Sequence, residues 1–301
     1  MKLLKILDFQ LLQYLMNKKI ICVSGPTAVG KTAFAIELAQ KHHTDIISFD
    51  SRQIYKELNI GVARPSKEEL QAVTHHFIAN KSIQESFTVN DYEKEVLALI
   101  QKFFEEKDTL VLCGGSGLYL NAIRFGLDEM PEISNEIRAK VDAEIASQSI
   151  KTIQEKVKKI DPESYESMDV LNTRRLQRVL EIYYATGKKW SDYKSFEPKK
   201  RPFEIENIVL NRKRKELYSR IDHRVDQMVE MGLEQEVECL LPYFHLNALN
   251  TVGYKEWLPF FENEVSNQEV IDKIKQHSRN YAKRQVTWFK KFCTNDTWIE
   301  F

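Results

Sequence analysis

The chain has 301 residues, 43% hydrophobic and 29% charged, and its 44 basic and 44 acidic residues cancel. That length and balance suit a folded protein of one large domain or two smaller ones. They exclude a molecule whose whole surface is a basic field, though not a local basic face. No apolar run reaches the roughly 18–20 residues of a membrane span. Cys22, Cys113, Cys239 and Cys293 lie far apart without a C-x-x-C pair and read as reduced thiols of a cytoplasmic protein.

The opening stretch MKLLKILDFQLLQYLM is apolar but interrupted by Lys5 and Asp8, and it lacks a small-residue cleavage site, so it does not read as a signal peptide. Met16 stands just before NKKIICVSGPT, and residues 1–15 read as a helical extension or a misassigned start. KKIICVSG is a short β-branched run ending at a glycine turn, the pattern of a buried strand, and KTAFAIELAQKHH follows with helical spacing. TDIISFD is a second strand that stops at Asp50. Gly61 and Pro65 mark the polar stretch after it as loop. VNDYEKEVLALIQKFFEEK has a helical period, TLVLCGGSG is a third strand into a glycine turn, and SGLYLNAIRFG starts another helix.

From Pro131 to about Lys200 the chain is charge-rich with a helical period and almost no strand signal, which predicts a helical insertion. FEIENIVLNRKRKEL looks like a strand returning to the sheet, followed by a long helix with a break at Gly232. The whole predicts an α/β fold: a parallel sheet flanked by helices and carrying a phosphate loop (P-loop), with an all-helical insertion. The expected organisation is an extension over 1–17, a core over 18–130 and 201–301, and an insertion over 131–200. In such sheets ligands collect beyond the carboxyl ends of the strands. The Gly25 loop, Asp50 and the Gly114–Gly117 turn should therefore face one crevice.

Gly25, Pro26, Thr27, Ala28, Val29, Gly30, Lys31 and Thr32 fit the pattern G-x-x-x-x-G-K-[ST]. A chance match in a chain this long is on the order of one in a hundred at average residue frequencies. The glycines let the backbone aim N–H groups at phosphate, Lys31 adds a charge, and Thr32 offers a hydroxyl to Mg²⁺ at a helix start. The default occupant of such a loop is a nucleoside triphosphate, but any diphosphate satisfies it. Asp50 at a strand end could bind Mg²⁺, hold a ribose hydroxyl, cap a turn or accept a proton. His75 and His76 are adjacent on an extended segment and point to opposite sides, which disfavours shared chelation of one metal. Tyr281, Trp288 and Phe289, interleaved with the basic residues near the C-terminus, are read as core packing ahead of base stacking.

With GPTAVGKT, ISFDSRQIY, VLCGGSGLYL, LNTRRLQRVLEIYYATGK and YAKRQVTWFK in this order, the sequence resembles the tRNA dimethylallyltransferases (isopentenyltransferases) over nearly all of residues 18–292. The resemblance implies that the phosphate loop grips dimethylallyl diphosphate, and that the prenyl group passes to the exocyclic amine of the adenine on the 3′ side of the anticodon. It makes Asp50 the general base, and Lys31 and Thr32 the diphosphate and Mg²⁺ contacts. It places a diphosphate-binding arginine at Arg220 or Arg224. It also implies tRNA contacts at Asp50, Ser51, Arg52, Gln53, Ser116, Arg138, Gln177, Arg178, Val179, Leu180 and Glu181. Ser116 stands where relatives carry threonine, which keeps the hydroxyl, and Arg52 stands where apolar residues are common. On the helix Val170–Thr186, Leu176, Val179, Leu180 and Tyr183 can form an apolar face, with Arg174, Arg175 and Arg178 projecting elsewhere. The expected partners are the anticodon stem-loop of tRNA and dimethylallyl diphosphate, the expected cofactor is Mg²⁺, no membrane is involved, and the default state is a monomer. Three other readings stand beside this one: the same transfer to a free adenine nucleotide, a P-loop kinase of a small metabolite that binds ATP, and a non-catalytic RNA-binding protein that uses nucleotide only to change shape. The helical insertion favours tRNA, since a small acceptor would not need it.

Overall fold

A computed structural model describes residues 18–194 and 197–301; the expected N-terminal extension lies outside the described residues. Six strands form one parallel sheet: β1 (Lys19–Ser24), β2 (Ile46–Ser48), β3 (His75–His76), β4 (Thr109–Gly114), β5 (Glu204–Asn211) and β6 (Thr297–Glu300), in the order β3-β2-β4-β1-β5-β6. The expected strands are β1, β2, β4 and β5. β6 was not expected, and β3 only as an extended segment at His75–His76; nor was the short helix Lys67–Ala72, just after the stretch expected to be loop. That helix starts at a capping box in which Ser66 and Glu69 satisfy each other's backbone N–H groups.

The central strands are buried on both faces, as parallel strands covered by helices must be. Side chains alternate between faces along a strand, and β1 divides accordingly. Ile20 and Cys22 join one core layer with Leu110, Leu112, Tyr92 and Phe289, while Ile21 and Val23 join the other with Val111, Ala35 and Leu217. Register brings the strand ends level: Ser24 lies beside Gly114, and Ser48 beside Cys113. The loops that leave β1, β2 and β4 therefore emerge along one edge.

Two compact units are distinguished: the described residues up to Phe125 with Lys200–Phe301, and Gly126–Lys199. The second unit is helical. Its core joins Val141, Ile153, Val157, Leu176, Val179 and Leu180 from the helices Asn135–Ser147, Ile150–Ile160 and Thr173–Thr186. Tyr183 was expected on the apolar face of the last of these, but it is 38% exposed. In the first unit the break expected at Gly232 separates the helices Arg214–Glu230 and Leu233–Leu240. The helix Asn267–Phe292 begins at a capping box between Ser266 and Glu269. No described helix is long and apolar enough to cross a membrane.

At Gly25 φ is +146°, a conformation L side chains rarely adopt, and a Cβ there would lie 2.5 Å from the Leu210 carbonyl oxygen on β5. Backbone oxygen cannot swing away as a side chain could. Gly25→Ala should lower unfolding free energy by on the order of 1–3 kcal/mol, read as a reduced midpoint in chemical denaturation; an unchanged midpoint would show that the loop can relax around a methyl group.

Candidate active site

The three loop ends open into a cleft of about 1180 Å³ within the first unit, lined by Thr27, Gly30, Lys31, Thr32, Asp50, Gly114, Arg220, Arg224, Tyr281 and Gln285 among others. Its floor is the phosphate loop. The helix Lys31–Lys41 starts there behind Gly30, with no side-chain cap and no acidic residue in its first turn. The first N–H groups of a helix lack intrahelical partners and carry the positive end of its dipole, so this start is an anion seat.

Three carbonyls of the loop are held by cations. Lys31 Nζ donates to Pro26 O at 2.8 Å, Arg220 Nε to Ala28 O at 2.8 Å and Arg212 Nε to Val29 O at 2.9 Å. Ala28 has φ +63°, outside the ordinary range for a residue with a side chain, and the Val29 side chain is fully buried, so both serve the site through backbone. Burial pulls the Lys31 ammonium down to about 8. The nearby Arg224 acts in the same direction, while Cys113 and Asp50 oppose the shift. The side chain keeps some solvent contact through the open cleft, but its ammonium sits on the cleft floor.

Of the two candidate arginines, Arg220 spends its Nε on the loop. Arg224 lies deeper, and among the described residues its guanidinium has no hydrogen-bond or ion-pair partner. Burial, and then Arg220, lower its affinity for its proton. Glu69 opposes the shift from a distance, and a partly buried guanidinium whose N–H groups are unspent is suited to bind an anion.

Asp50 follows β2 across the cleft. Its Oδ1 accepts the Arg52 N–H at 2.9 Å and the Gln53 N–H at 3.3 Å, the turn role the sequence allowed. Among the described residues no hydrogen bond reaches Oδ2, so one oxygen is fixed and the other is open to a ligand. Ser116 Oγ accepts the Ser51 N–H at 3.1 Å and donates to Ser51 Oγ at 3.2 Å, tying the glycine turn after β4 to the Asp50 segment. Tyr281 closes this side. Its phenol is pushed up to about 12 by burial first and by the Asp50 charge second. A second, smaller hollow of about 310 Å³ adjoins this turn, lined by Ser51, Ser116, Leu118, Tyr119, Tyr281 and Trp288 among others.

Several expected contact residues are occupied otherwise. Arg52 Nη1 donates to Asn247 O at 3.1 Å, and Gln53 Nε2 donates to Ala63 O at 2.8 Å, so both side chains brace the cleft wall. Val179 and Leu180 are fully buried in the helical unit and have no surface to offer a nucleic acid; helical period put them on the inward face. Gln177 and Glu181 are also buried: Gln177 Nε2 donates to Asp142 Oδ1 at 2.7 Å and to Glu181 Oε1 at 3.0 Å. Arg138 is exposed, and Arg178 pairs with Glu181 at 3.4 Å from a partly exposed position. The basic runs are partly structural as well: Arg201 donates to Glu93 Oε1 at 2.6 Å and to Ile123 O at 2.8 Å. His76 pairs with Asp45 at 2.8 Å. Phe289 is core, and Trp288 packs against it.

Two residues escaped the reading of the sequence. Arg212, which holds Val29, was one of several cations in LNRKRKEL. Gln285, in YAKRQVTWFK, accepts the Thr27 N–H on Oε1 at 2.9 Å and donates from Nε2 to Gly115 O at 2.9 Å. Only the helical spacing of Ile274, Ser278, Tyr281 and Gln285, all on the cleft side, could have signalled it.

A glycine-flanked loop at a helix start, an open carboxylate oxygen and a hydroxyl-bearing turn at one edge of a parallel sheet suit a group-transfer protein with an anionic substrate. Comparison with known proteins agrees. The model of the IPP transferase family matches residues 53–292. A tRNA dimethylallyltransferase of Flavobacterium johnsoniae is 44% identical over 290 residues, covering 94% of this chain and 94% of its own, and one of Cytophaga hutchinsonii is 42% identical over 275 residues, covering 91% and 90%. The crystal structure of the full-length tRNA isopentenylpyrophosphate transferase of Bacillus halodurans superposes with a TM-score of 0.68 at 36% identity, covering 94% of this chain and 90% of that one. A eukaryotic dimethylallyltransferase captured acting on tRNA superposes with a TM-score of 0.77 at 28% identity, covering 94% and 74%. The chain belongs to the IPP transferase family.

A lysine lowered to about 8 gives the cleft a pH signature. An anion on the loop favours the charged ammonium, so binding takes up a proton once the free cleft has lost it. Affinity for dimethylallyl diphosphate should hold up to about pH 8 and then fall by about tenfold per pH unit up to the lysine's ordinary range. Without ligand the sign reverses: stability rises between about 8 and 10.5, where the unfolded chain binds the proton and the folded one does not. Calorimetric titration from pH 7 to 10, with Lys31→Met as control, checks this; equal pH dependence in the variant would remove Lys31 as the source.

Proposed function

We propose that this chain transfers the dimethylallyl group of dimethylallyl diphosphate to the exocyclic amine of the adenine on the 3′ side of the anticodon in tRNA. The observation that carries the reading is the convergence in one cleft of an anion seat at Gly30–Thr32 and a carboxylate, Asp50, with an open oxygen. The names of the relatives supply the substrate class, and they favour tRNA over a free nucleotide or a kinase substrate.

The chemistry follows from the residues. The allylic carbon–oxygen bond breaks and its electron pair leaves with the diphosphate. The adenine nitrogen forms the new carbon–nitrogen bond, and its proton passes to Asp50. Negative charge builds on the departing diphosphate, where the loop N–H groups, Lys31 and Arg224 stabilise it without reorganising. Arg220 and Arg212 act through the loop, by holding the Ala28 and Val29 carbonyls. Oδ1 of Asp50 is held by two backbone N–H groups, which leaves Oδ2 to take the proton. The target base must leave its stack to enter, as in other enzymes that act on extruded bases. Ser51 and Ser116 offer hydroxyls at that entrance, and exposed Arg138 and Arg178 on the helical unit offer phosphate contacts.

The donor set suits Mg²⁺. The Thr32 hydroxyl is a hard oxygen lining the cleft beside the anion seat, and among the described residues no group of three or more His, Cys, Asp or Glu is placed to cage an ion. Such sparse oxygen sites share Mg²⁺ with substrate phosphates. When bound, the ion would neutralise charge on the leaving diphosphate.

Incubation with radiolabelled dimethylallyl diphosphate and unmodified tRNA should move label onto adenine; ATP turnover on a small acceptor without label in tRNA would overturn the reading. Asp50→Asn keeps the shape of the turn and should reduce transfer by about 10²–10⁴-fold with diphosphate affinity nearly unchanged. A near-normal rate would remove Asp50 as the base.

A further inference from the structure

We infer that Gln285 is a positioning residue that sets the distance between the leaving-group loop and the acceptor side of the cleft; the role rests on the transfer reaction proposed above. Gln285 is 7% exposed and reaches in from the helix Asn267–Phe292. One planar amide spans the gap between two loops, its oxygen on the Thr27 N–H and its nitrogen on the Gly115 carbonyl, each at 2.9 Å. The orientation of the amide is fixed by its partners, since Thr27 N–H can only donate and Gly115 C=O can only accept. Gly115 is shaped to the same contact: a Cβ there would lie 2.5 Å from Gln285 Nε2.

The link continues on the acceptor side. Ser116 follows Gly115 directly, and its hydroxyl accepts the Ser51 N–H beside Asp50. A continuous path therefore runs from Thr27 in the loop that seats the diphosphate, through Gln285, Gly115, Ser116 and Ser51, to the carboxylate. In sequence these parts are remote: Gln285 lies 258 residues from Thr27 and 170 from Gly115. Bond exchange between two separately held substrates demands that the reacting atoms stay within a narrow range, and a misplacement of about 1 Å can cost 10²-fold in rate. Gln285 touches neither reacting atom; it fixes the spacing of the groups that do. The chemical requirement is specific. Glutamate of the same shape keeps the Thr27 contact but, when ionised, turns a carboxylate oxygen toward the Gly115 carbonyl. Methionine fills the space and makes neither bond.

The test compares wild type, Gln285→Met and Gln285→Glu in steady-state transfer to tRNA, with thermal melting and hydrogen exchange of the Thr27 amide measured on each. Gln285→Met should lower kcat by about 10²-fold, leave KM for both substrates within about threefold, and speed exchange at Thr27. Gln285→Glu should regain rate as pH falls and its carboxyl gains a proton to donate, a recovery that packing alone would not produce. An unchanged kcat in Gln285→Met, a loss confined to KM for dimethylallyl diphosphate, or a Gln285→Glu profile parallel to wild type would overturn the inference. Unchanged exchange at Thr27 would overturn it whatever the turnover. Absence of transfer by the wild type would instead count against the reaction itself, while the exchange measurement still decides the clamp.

Discussion

The cleft depends on the Gly25–Thr32 backbone being held by cationic side chains. A carbonyl oxygen tied to a cation repels an incoming anion less than a free one. Here three carbonyls are held: Pro26 by Lys31 of the loop itself, Val29 by Arg212 just after β5, and Ala28 by Arg220 of the helix that follows. Each bond contributes on the order of 1 kcal/mol net, so no single one fixes the loop. The fixed carbonyl of Leu210 adds the constraint that Gly25 must lack a side chain.

The same arrangement explains why the loop alone does not name its occupant. Its N–H groups and Lys31 meet the terminal phosphates of a nucleotide and the diphosphate of a prenyl donor equally well. The distinction lies across the cleft. There a carboxylate keeps one oxygen in a turn and the other open, beside a serine turn and the half-buried phenol of Tyr281. In the proposed reaction the loop holds what leaves, the Asp50 side receives what attacks, and Arg224 supplies a cation already stripped of much of its water.

Legibility in the sequence followed burial. β1, β2, β4 and β5 carry enough buried β-branched residues to be read directly, and the GPTAVGKT stretch announces its loop through glycine spacing and the strand and helix around it. The edge strands were missed as members of the sheet because His75–His76 and Thr297–Glu300 are short and only half-buried, so they leave no run and no clean alternation. Asp50 was placed by its position at a strand end. The Gln177–Glu181 segment came with the family resemblance, and residue type could not reveal that Val179, Leu180 and the Gln177–Glu181 pair look inward. Gln285 and Arg212 were invisible for a related reason: a glutamine or arginine on a helix or after a strand is ordinarily a surface residue, and only contacts made across most of the chain give these two their place.

That the phosphate loop seats a departing diphosphate is tested most directly by a crystal structure of the chain with an unreactive thio analogue of dimethylallyl diphosphate. Diphosphate oxygens on the Gly30, Lys31 and Thr32 N–H groups, with the allylic carbon facing the Asp50 side of the cleft, are the expected result. A loop left empty by the analogue, or one that takes the phosphates of ATP in preference to it when both are supplied, would contradict the assignment.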